Sequence, residues 1–319
     1  MRQKYYEGTA EIINLSTEIG RLLGIVDVTH ARRPKTRLRR ANRIKTIHAS
    51  LQIEGNTLTM DQVTDIFDNI HVAGPVAEVM EVRNAIAVYE NISEYHPFDE
   101  KSYLKAHEVL MAGLMPGAGR YRTRDVGVFK GEKVAHLAPP SWNVQHLMQQ
   151  LFAYLAESPD NLLIKSCVFH CEMEFIHPFT DGNGRMGRLW QTVILMQENP
   201  VFEYLPIESG IRDSQQEYYA ALAMADKEGL ATHFLEYMLK LVRNGLETFV
   251  VAQRIVLTDT ERLVYFKEHT GLQSFSRKDY MKVFRNISSA TATRDLTKGV
   301  AQGVILREGE SRLTVYRFV

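Results

Sequence analysis

The chain has 319 residues, of which 45% are hydrophobic and 24% are charged; this balance is typical of a folded globular protein and excludes a long disordered chain. Lysine plus arginine (38) equals aspartate plus glutamate (38), so no overall charge attracts the protein to nucleic acid or to a membrane surface. No window reaches the roughly 18 uncharged apolar residues of a membrane helix, and the N-terminus has no apolar signal segment. We expect a cytoplasmic protein of two or three domains without a membrane partner.

Up to about residue 255, apolar residues recur at helical spacing, which predicts a mostly α fold. The first informative helix is predicted over 39–54, with Gly55 directly after its C-terminus, where glycine is common. Residues 126–137 are the exception, because two alternating segments flank a glycine-containing turn and predict a β-hairpin. Further on, the apolar run 162–176 predicts a buried helix that stops before Pro178, because proline disfavours helical backbone at the preceding residue.

The C-terminal part has a different pattern. The segment 258–261 has the sequence of a capping box ahead of a helix, and Ser276 and Ser289 are candidate N-caps of two shorter helices. Two alternating segments, 304–307 and 313–318, then predict a terminal hairpin. Three helices followed by a two-stranded hairpin predict a winged helix-turn-helix domain.

The predicted winged helix carries an excess of positive charge. Over 276–319 there are nine basic and four acidic residues, and 290–301 has the position of a recognition helix. Thr291, Thr293 and Arg294 on that helix could contact base edges, so DNA is one candidate partner. The alternative is a winged helix that is kept for protein contacts, because the fold alone does not determine the function.

The most informative segment is 177–188, with the sequence HPFTDGNGRMGR. Asp181 to Gly184 is a turn-forming sequence, and apolar residues at helical spacing from Met186 onward indicate that a helix resumes directly after it. The backbone N–H groups of the turn and the positive end of this helix converge on one point. The segment therefore predicts an anion-binding nest, with glycines where a phosphate approaches the backbone closely.

Four side chains around this nest have complementary chemistry. Arg185 and Arg188 lie three residues apart on the first turn of the helix, so both guanidinium groups can bind phosphate oxygens. Asp181 supplies the hard oxygen ligand that Mg²⁺ prefers beside phosphates. His177, a residue type with an unperturbed pKa near 6.5, can accept a proton from an attacking hydroxyl. A glycine-rich turn with surface arginines is the alternative for any one of these residues, but not for their combination.

These twelve residues resemble the signature of the Fic family, His-x-Phe-x-Asp/Glu-Gly-Asn-Gly-Arg-x-x-Arg, at every fixed position. The resemblance covers about residues 101–245 and implies a Fic-type helical core that transfers AMP from ATP, with Mg²⁺, to a protein hydroxyl. It implies that His177 is the base, that Asp181 holds Mg²⁺, and that the two arginines anchor the β and γ phosphates. The implied ATP- and phosphate-binding residues are Gly182, Asn183, Gly184, Arg185, Met186, Gly187 and Arg188.

The resemblance also assigns two peripheral sites. The hairpin is similar to the family's flap, which binds an extended target segment by strand addition. The flap residues are Val126, Val128, Val134 and His136. The alternative is a surface hairpin without a partner. Tyr218 and Tyr219 lie on a helix where similar proteins contact the nucleoside, although aromatic residues at helical spacing are also typical of core packing.

Glu54, which precedes the signature in the sequence, lies at a helix position that is unfavourable for a carboxylate. Glu54 lies near the negative end of the predicted helix dipole, where an exposed carboxylate is disfavoured by roughly 0.3–1 kcal/mol, so we expect a compensating cation. Ser50, Glu54 and Gly55 match the family's inhibitory motif, Ser/Thr-x-x-x-Glu-Gly/Asn, and resemble the subgroup with an N-terminal inhibitory helix. In that motif the glutamate pairs with the second signature arginine, here Arg188. An ordinary helix end with a solvated glutamate is the alternative.

The sequence therefore predicts an auto-inhibited protein adenylyltransferase that uses ATP and Mg²⁺ and modifies a Ser, Thr or Tyr hydroxyl of a target protein or of itself. Its expected domains are an N-terminal helical region (1–100) with the inhibitory helix (about 39–55), a catalytic core (101–245), and a linker helix with the winged helix (246–319). A homodimer is compatible with the sequence. The alternatives are an ATP-sensing DNA-binding regulator, and a Fic enzyme that removes AMP or transfers another phosphate-linked group.

Overall fold

A computed structural model describes residues 4–28, 36–130, 133–252, 259–284, 287–309 and 314–319. The chain forms two compact units, Met1–Gln253 and Arg254–Val319. The predicted division at residue 100 falls inside the first unit, and the predicted boundary at 245 falls within a helix that continues to Ala252. Thr258, the first residue of the predicted capping box, lies outside the described residues. The mostly α fold class is confirmed.

The regular elements of the described part of the first unit are α-helices, one β-hairpin and two short 3₁₀ turns, Ile92–Glu94 and Pro200–Tyr204. Its helices are α1 (Ala10–Val28), α2 (Thr36–Ile53), α3 (Met60–Phe67), α4 (Val76–Glu90), α5 (Glu100–Leu110), α6 (Ser141–Glu157), α7 (Leu162–Ile176), α8 (Asn183–Glu198), α9 (Ile207–Asp213), α10 (Gln215–Glu228) and α11 (Thr232–Ala252). Among the described residues, no helix is long and apolar enough to cross a membrane.

Helices α7 and α8 form the centre of the first unit. Nearly every side chain of α7 is buried, including the polar side chains of Lys165, His170 and Glu172. Helix α8 packs along α7, and α11 covers another face of it. Phe169 of α7 and Trp190 of α8 are both fully buried, and the Trp190 indole N–H donates to the carbonyl of Pro97 at 3.1 Å. The loop that joins these two helices is therefore held at the densest part of the fold.

Helix α7 begins and ends where its sequence predicts. The side chain of Asn161 caps its start by accepting the N–H of Ile164 at 3.0 Å. At its end, His177 adopts a left-handed conformation (φ 48°, ψ 61°), and its N–H donates to the carbonyl of Met173 at 2.9 Å. Because Pro178 follows, the chain cannot continue as a helix, and it turns into the loop.

Helix α2 ends in a Schellman motif. The N–H of Gly55 donates to the carbonyl of Gln52 at 3.1 Å, and the N–H of Asn56 donates to the carbonyl of Leu51 at 3.1 Å. Gly55 has φ +94°, which a residue with a side chain rarely adopts, so its predicted place after the helix is confirmed. This motif leaves Glu54 at the last turn of α2, facing the rest of the unit.

The predicted hairpin is confirmed in its backbone. Strands β1 (Gly127–Lys130) and β2 (Lys133–Leu137) pair antiparallel, with Gly127 opposite Leu137 and an irregularity after Val128. At its base, a carboxylate oxygen of Asp125 accepts the N–H of Ser141 at 2.7 Å, which closes the hairpin where the chain enters α6. The side chains of Val128, Val134 and His136 lie outside the described residues.

The second unit contains the predicted helices and hairpin and one further strand. Its elements are α12 (Asp259–Thr270), β3 (Ser274–Phe275), α13 (Arg277–Val283), α14 (Ser289–Ala301), β4 (Ile305–Glu308) and β5 (Val315–Phe318), with the sheet order β3-β5-β4. Ser276 caps α13 as predicted. The predicted N-cap Ser289 is wrong, because Ser288 accepts the N–H of Thr291 at 3.1 Å and Ser289 is already helical.

The core of the second unit is aromatic and contains one buried ion pair. Phe266, Phe275 and Tyr280 pack together from three different elements. Asp295 of α14 is 1% exposed and accepts from Arg262 of α12 at 2.6 Å. The Tyr280 hydroxyl donates to the same carboxylate at 3.3 Å, so the buried charge of Asp295 is satisfied from two sides.

Candidate active site

The site is built around the loop that leads from α7 to α8. Gly182 precedes α8 with φ +84°, and a Cβ atom there would lie about 2.8 Å from the sulfur of Met111, so only glycine fits. The first N–H groups of a helix have no partners within it, and here they face the mouth of the loop. The start of α8 therefore has the features of an anion site, and the anion-binding nest stays a prediction.

Asn183 holds the loop in shape. Its side-chain oxygen accepts the N–H of Phe179 at 2.9 Å, and its side-chain nitrogen donates to the carbonyl of Phe179 at 2.9 Å. Phe179 itself is fully buried, stacked near Tyr103 and in contact with Tyr121. The apolar anchor and the amide therefore keep the loop pressed against the core, where Gly182 is buried and Gly184 is half-buried.

Arg122, which sequence reasoning missed, fixes the backbone around His177. It is 4% exposed, and its guanidinium donates to the carbonyl of His177 at 2.8 Å and to that of Ile176 at 3.2 Å. It also donates to the carbonyl of Pro139, which follows the hairpin. Burial lowers the pKa of Arg122 below the usual value for arginine. The sequence contains no signal for this role, because the three carbonyls come from two distant segments.

A buried histidine, also missed by sequence reasoning, lies beneath the loop. The His107 ring on α5 stacks on Phe179 with centroids 3.6 Å apart and planes 5° apart. One ring nitrogen contacts the carbonyl oxygen of Asp181 at 3.0 Å, and the other contacts the N–H of Gly119 at 2.8 Å. Burial, more than any nearby charge, lowers the pKa of His107 to about 4, so the ring is neutral at neutral pH. Its position on the apolar face of α5 is the only sequence signal.

Asp181 and Arg185 interact at the entrance of the nest. One oxygen of Asp181 accepts the N–H of Gly182 at 2.6 Å and the Nη2 of Arg185 at 3.0 Å. The Nη1 of Arg185 donates to Glu81 of α4 at 2.9 Å, so this buried arginine is shared by two carboxylates. Glu81, which the sequence does not indicate, also accepts from the side chain of Asn56 at 2.8 Å.

The residues at this entrance fit a magnesium ion that is bound together with phosphates. The Asp181 side chain is 63% exposed and lies beside the anion site. Mg²⁺ in nucleotide sites is usually held by one or two carboxylates, water and the phosphates themselves. Within the described ranges, no group of three or more His, Cys, Asp or Glu residues could hold a metal ion without a substrate. Asp181 is the residue here that would hold such an ion together with the phosphates.

The second signature arginine is held by the helix that carries Glu54. Arg188 is 2% exposed, and its Nη2 donates to a Glu54 oxygen at 2.7 Å and to the Ser50 carbonyl at 3.0 Å, while its Nε donates to the Ser50 hydroxyl at 3.1 Å. A Cβ atom at Gly184 would overlap the Glu54 carboxylate, so this carboxylate lies directly on the glycine of the nest. Burial alone would lower the pKa of Arg188, but the negative charge of Glu54 raises it above the ordinary value.

In a comparison with known proteins, the family match covers the segment that contains this loop. Residues 97–195 match the Fic/DOC family. A crystal structure of a Fic family protein from Desulfovibrio desulfuricans G20 is 41% identical, covers 99% of this chain and 98% of that chain, and has a TM-score of 0.76. The chain belongs to the Fic family. A protein adenylyltransferase, fic-1 of Caenorhabditis briggsae, is 27% identical over 65% of this chain, and a probable protein adenylyltransferase of Aquifex aeolicus is 30% identical over 46% of it.

The similarity to the curated relatives is partial. This Fic chain spans about 41% of the length of the Caenorhabditis briggsae protein and 46% of that of the Aquifex aeolicus protein. A structure of Fic-1 from C. elegans, at 22% identity and a TM-score of 0.59, shares the fold over 75% of this chain. The chain therefore shares the family and the fold of these proteins, and its activity depends on the residues of the site.

The two tyrosines predicted near the nucleoside have different environments in this Fic protein. Tyr218 is 1% exposed, and its hydroxyl bonds His170 at 3.0 Å, so it belongs to the core and offers no surface to a ligand. His170 in turn bonds Gln191 of α8 at 2.7 Å, and burial lowers its pKa to about 3. Tyr219 is 43% exposed and lies near enough to Glu54 for that charge to raise its pKa, after the larger effect of burial.

Two further predicted nucleotide contacts point away from the nest. The Met186 side chain is fully buried in the core. Gly187 faces α7, where a Cβ atom would meet His170 and Met173 at about 2.7 Å. The close approach of α7 and α8 therefore explains why residue 187 is a glycine. Of the predicted flap residues, Val126 is half-buried, and it directly precedes β1.

Two more buried acids lie near Arg188. Burial raises the pKa of Glu174 to about 7, against the opposing effect of Arg188. Burial likewise raises the pKa of Glu208 to about 7, although Arg188 and a hydrogen bond from the Tyr89 hydroxyl oppose it. Both acids gain protons on folding at mildly acidic pH, because their carboxyl groups are less easily ionised inside the protein than in the unfolded chain.

Substituting glutamine for Glu208 should stabilise the protein more at pH 8 than at pH 5. The folded-state pKa of about 7 exceeds the ordinary glutamate value of 4.5, so wild-type stability falls as pH rises through this interval, and Glu208→Gln removes that loss. The shift corresponds to a gain on the order of 3 kcal/mol at pH 8. Chemical denaturation at both pH values measures it, with Glu90→Gln on exposed surface as the control. An equal difference at the two pH values would contradict the assignment.

Proposed function

We propose that this Fic protein transfers AMP from ATP to a hydroxyl of a protein and that Glu54 holds the site in an inhibited state. The observation that carries the proposal is the ion pair between Glu54 and Arg188, with the carboxylate resting on Gly184 of the anion nest. A negative group thus already lies where the signature implies a phosphate. The relatives named as protein adenylyltransferases support the same reaction class.

His177 would act as the base of the transfer. The target hydroxyl oxygen attacks the α-phosphorus of ATP, the bond from that phosphorus to the β-phosphate oxygen breaks, and pyrophosphate leaves while the hydroxyl proton passes to the imidazole. The position of His177 supports this role, because it directly follows α7 and its carbonyl is fixed by Arg122. A base held at a fixed distance from the nest loses little entropy when the reactants meet.

The nest and its charged neighbours would bind the triphosphate. The N–H groups at the start of α8 suit phosphate oxygens, and Arg185 and Arg188 provide two buried cations beside them. Mg²⁺, when bound, neutralises phosphate charge, and Asp181 is the residue that would hold it. If Asp181 exchanged its contact with Arg185 for the metal, the Nη2 of Arg185 would be available to a phosphate oxygen while Nη1 stayed on Glu81.

Inhibition follows from competition for Arg188. The guanidinium is buried, so it needs one anionic partner, and Glu54 and the γ-phosphate cannot both occupy the same side of it. While Glu54 holds Arg188, ATP would bind only in a pose without this clamp. The side chain of Glu54 is 32% exposed, which supports a carboxylate that can move aside without unfolding α2. A partner, a ligand or self-modification would tip the balance.

We propose that the hairpin binds the target by strand addition and that the second unit is a winged helix used for protein contacts. Three of its basic residues are paired with acids: Lys282 with Asp279, Lys298 with Asp259, and Arg317 with Glu308. Only Asp259 lies outside the four acids already counted over 276–319, so these pairs leave most of the positive excess in place. Protein contacts remain our proposal because the fold alone does not imply DNA binding.

Removing the inhibitory carboxylate should activate the enzyme only if Arg188 is present. We expect Glu54→Gly to raise AMP transfer at least about tenfold, equivalent to ~1.4 kcal/mol, and Arg188→Ala to abolish it. Because both changes act on one interaction, the double variant should match Arg188→Ala alone. Labelled ATP with Mg²⁺ measures transfer to the protein itself or to a lysate band. A double variant as active as Glu54→Gly would show that Arg188 is not a phosphate clamp.

In the activated background, His177→Ala should separate binding from chemistry. The nest binds the phosphates and the imidazole takes the proton, so we expect loss of transfer by about 10²–10⁴-fold with nearly unchanged affinity for ATP. Calorimetric titration with ATP and Mg²⁺ measures the affinity, and label transfer measures the reaction. Substantial transfer by the alanine variant would exclude His177 as the base.

A further inference from the structure

The Asp181–Gly182 peptide connects the buried ring of His107 with the predicted anion nest at the start of α8. His107 is fully buried beneath the loop, and its ring lies flat on Phe179. Its ring carbons alone would provide this packing. A phenylalanine would do so as well, so the two polar contacts of the imidazole need a separate explanation.

The hydrogen bonds of His107 determine its tautomer. The N–H of Gly119 donates to Nδ1 at 2.8 Å, so Nδ1 has a lone pair and no proton. The neutral ring therefore carries its hydrogen on Nε2, and this N–H donates to the carbonyl oxygen of Asp181 at 3.0 Å. The contact with Gly119 thus makes His107 a hydrogen-bond donor toward the loop.

This bond determines which way one N–H of the nest points. In a planar trans peptide the carbonyl oxygen and the following N–H lie on opposite sides of the chain. Because His107 draws the Asp181 carbonyl into the core, the Gly182 N–H is turned outward. There it now donates to the carboxylate of Asp181 at 2.6 Å, so the direction in which it points already accommodates an anion.

Without this bond the peptide could reverse. Gly182 lacks a Cβ atom and tolerates both signs of φ, so the backbone itself does little to prevent a flip of the preceding peptide. A flipped peptide would present a carbonyl oxygen, and not an N–H group, to the phosphates. One hydrogen bond in the core would thus exclude a repulsive state of the nest.

We infer that His107 is a positioning residue, which aims the Gly182 N–H at a phosphate oxygen of the nucleotide by holding the Asp181 carbonyl from below. The inference rests on the proposed nucleotide site. With Mg²⁺ and nucleotide bound, the Asp181 carboxylate would hold the metal, and the Gly182 N–H would be available to a phosphate oxygen. Asn183 maintains the shape of the loop, whereas His107 sets the orientation of one donor.

A matched pair of substitutions in the Glu54→Gly background tests the inference. His107→Gln and His107→Met have side chains of the same length, and both lose the flat ring, but only glutamine keeps an N–H group at the position of Nε2. We expect kcat/KM for AMP transfer to fall about 10- to 100-fold in the methionine variant and to stay within about threefold of the background in the glutamine variant. Equal kcat/KM values in the two variants would overturn the inference.

The Gly182 amide provides a readout independent of activity. In protein labelled with ¹⁵N-glycine, the Gly182 resonance should shift when ATP and Mg²⁺ bind to the Glu54→Gly protein and to its glutamine variant, and it should shift clearly less in the methionine variant at saturating ATP. If Glu54→Gly transfers no AMP, the proposed reaction is wrong, and the amide still reports whether the N–H meets a phosphate. An unresponsive Gly182 in a protein that binds ATP and retains His107 would refute the positioning role.

A measurement on the unmodified protein keeps the test valid if the substitutions impair folding. The ¹⁵N resonances of the His107 ring should identify the neutral tautomer with its proton on Nε2 and a bare Nδ1. A proton on Nδ1 would contradict the inference, because Nε2 would then be unable to donate to Asp181.

Discussion

A buried guanidinium group requires an anionic or strongly polar partner, and Arg188 is such a group. The group is surrounded by α2, α7, α8 and α9 and cannot be left uncompensated, because an unpaired buried charge costs several kcal/mol. In this structure the partners are Glu54 and Ser50 of α2. Any ligand that uses Arg188 must displace this carboxylate. The proposed inhibition and the proposed phosphate binding therefore both rest on the requirement of Arg188 for an anionic partner.

The catalytic loop depends on residues outside its own signature. Arg122 holds the carbonyls at the end of α7, and His107 holds the carbonyl of Asp181. Both are buried polar side chains that satisfy backbone acceptors in a segment without regular structure, where unsatisfied groups would be costly. The loop is rigid because its hydrogen bonds reach into α5 and into the segment before the hairpin. Substitutions at these distant positions should therefore affect the site as directly as those within it.

Some of this arrangement could be predicted from the sequence, and some could not. The stop of α7 before Pro178, the glycine after α2 and the return to a helix after the loop follow from local backbone rules, and each is present, although α8 begins at Asn183, inside the predicted turn. Glu81, Arg122 and His107 were missed because their partners lie far away in sequence, and only the packing of helices brings them together. Tyr218 was assigned to the nucleoside by resemblance, whereas its surroundings place it in the core.

The central claim is that Glu54 and the γ-phosphate of ATP compete for one side of Arg188. Crystal structures of the wild-type protein and of Glu54→Gly, both soaked with ATP and Mg²⁺, test it most directly. We expect the γ-phosphate to take the place of the Glu54 carboxylate on Arg188 in the variant, and we expect the ion pair to persist in the wild type with the γ-phosphate elsewhere. A γ-phosphate bound to Arg188 beside an intact Glu54 pair would show that the two anions do not compete.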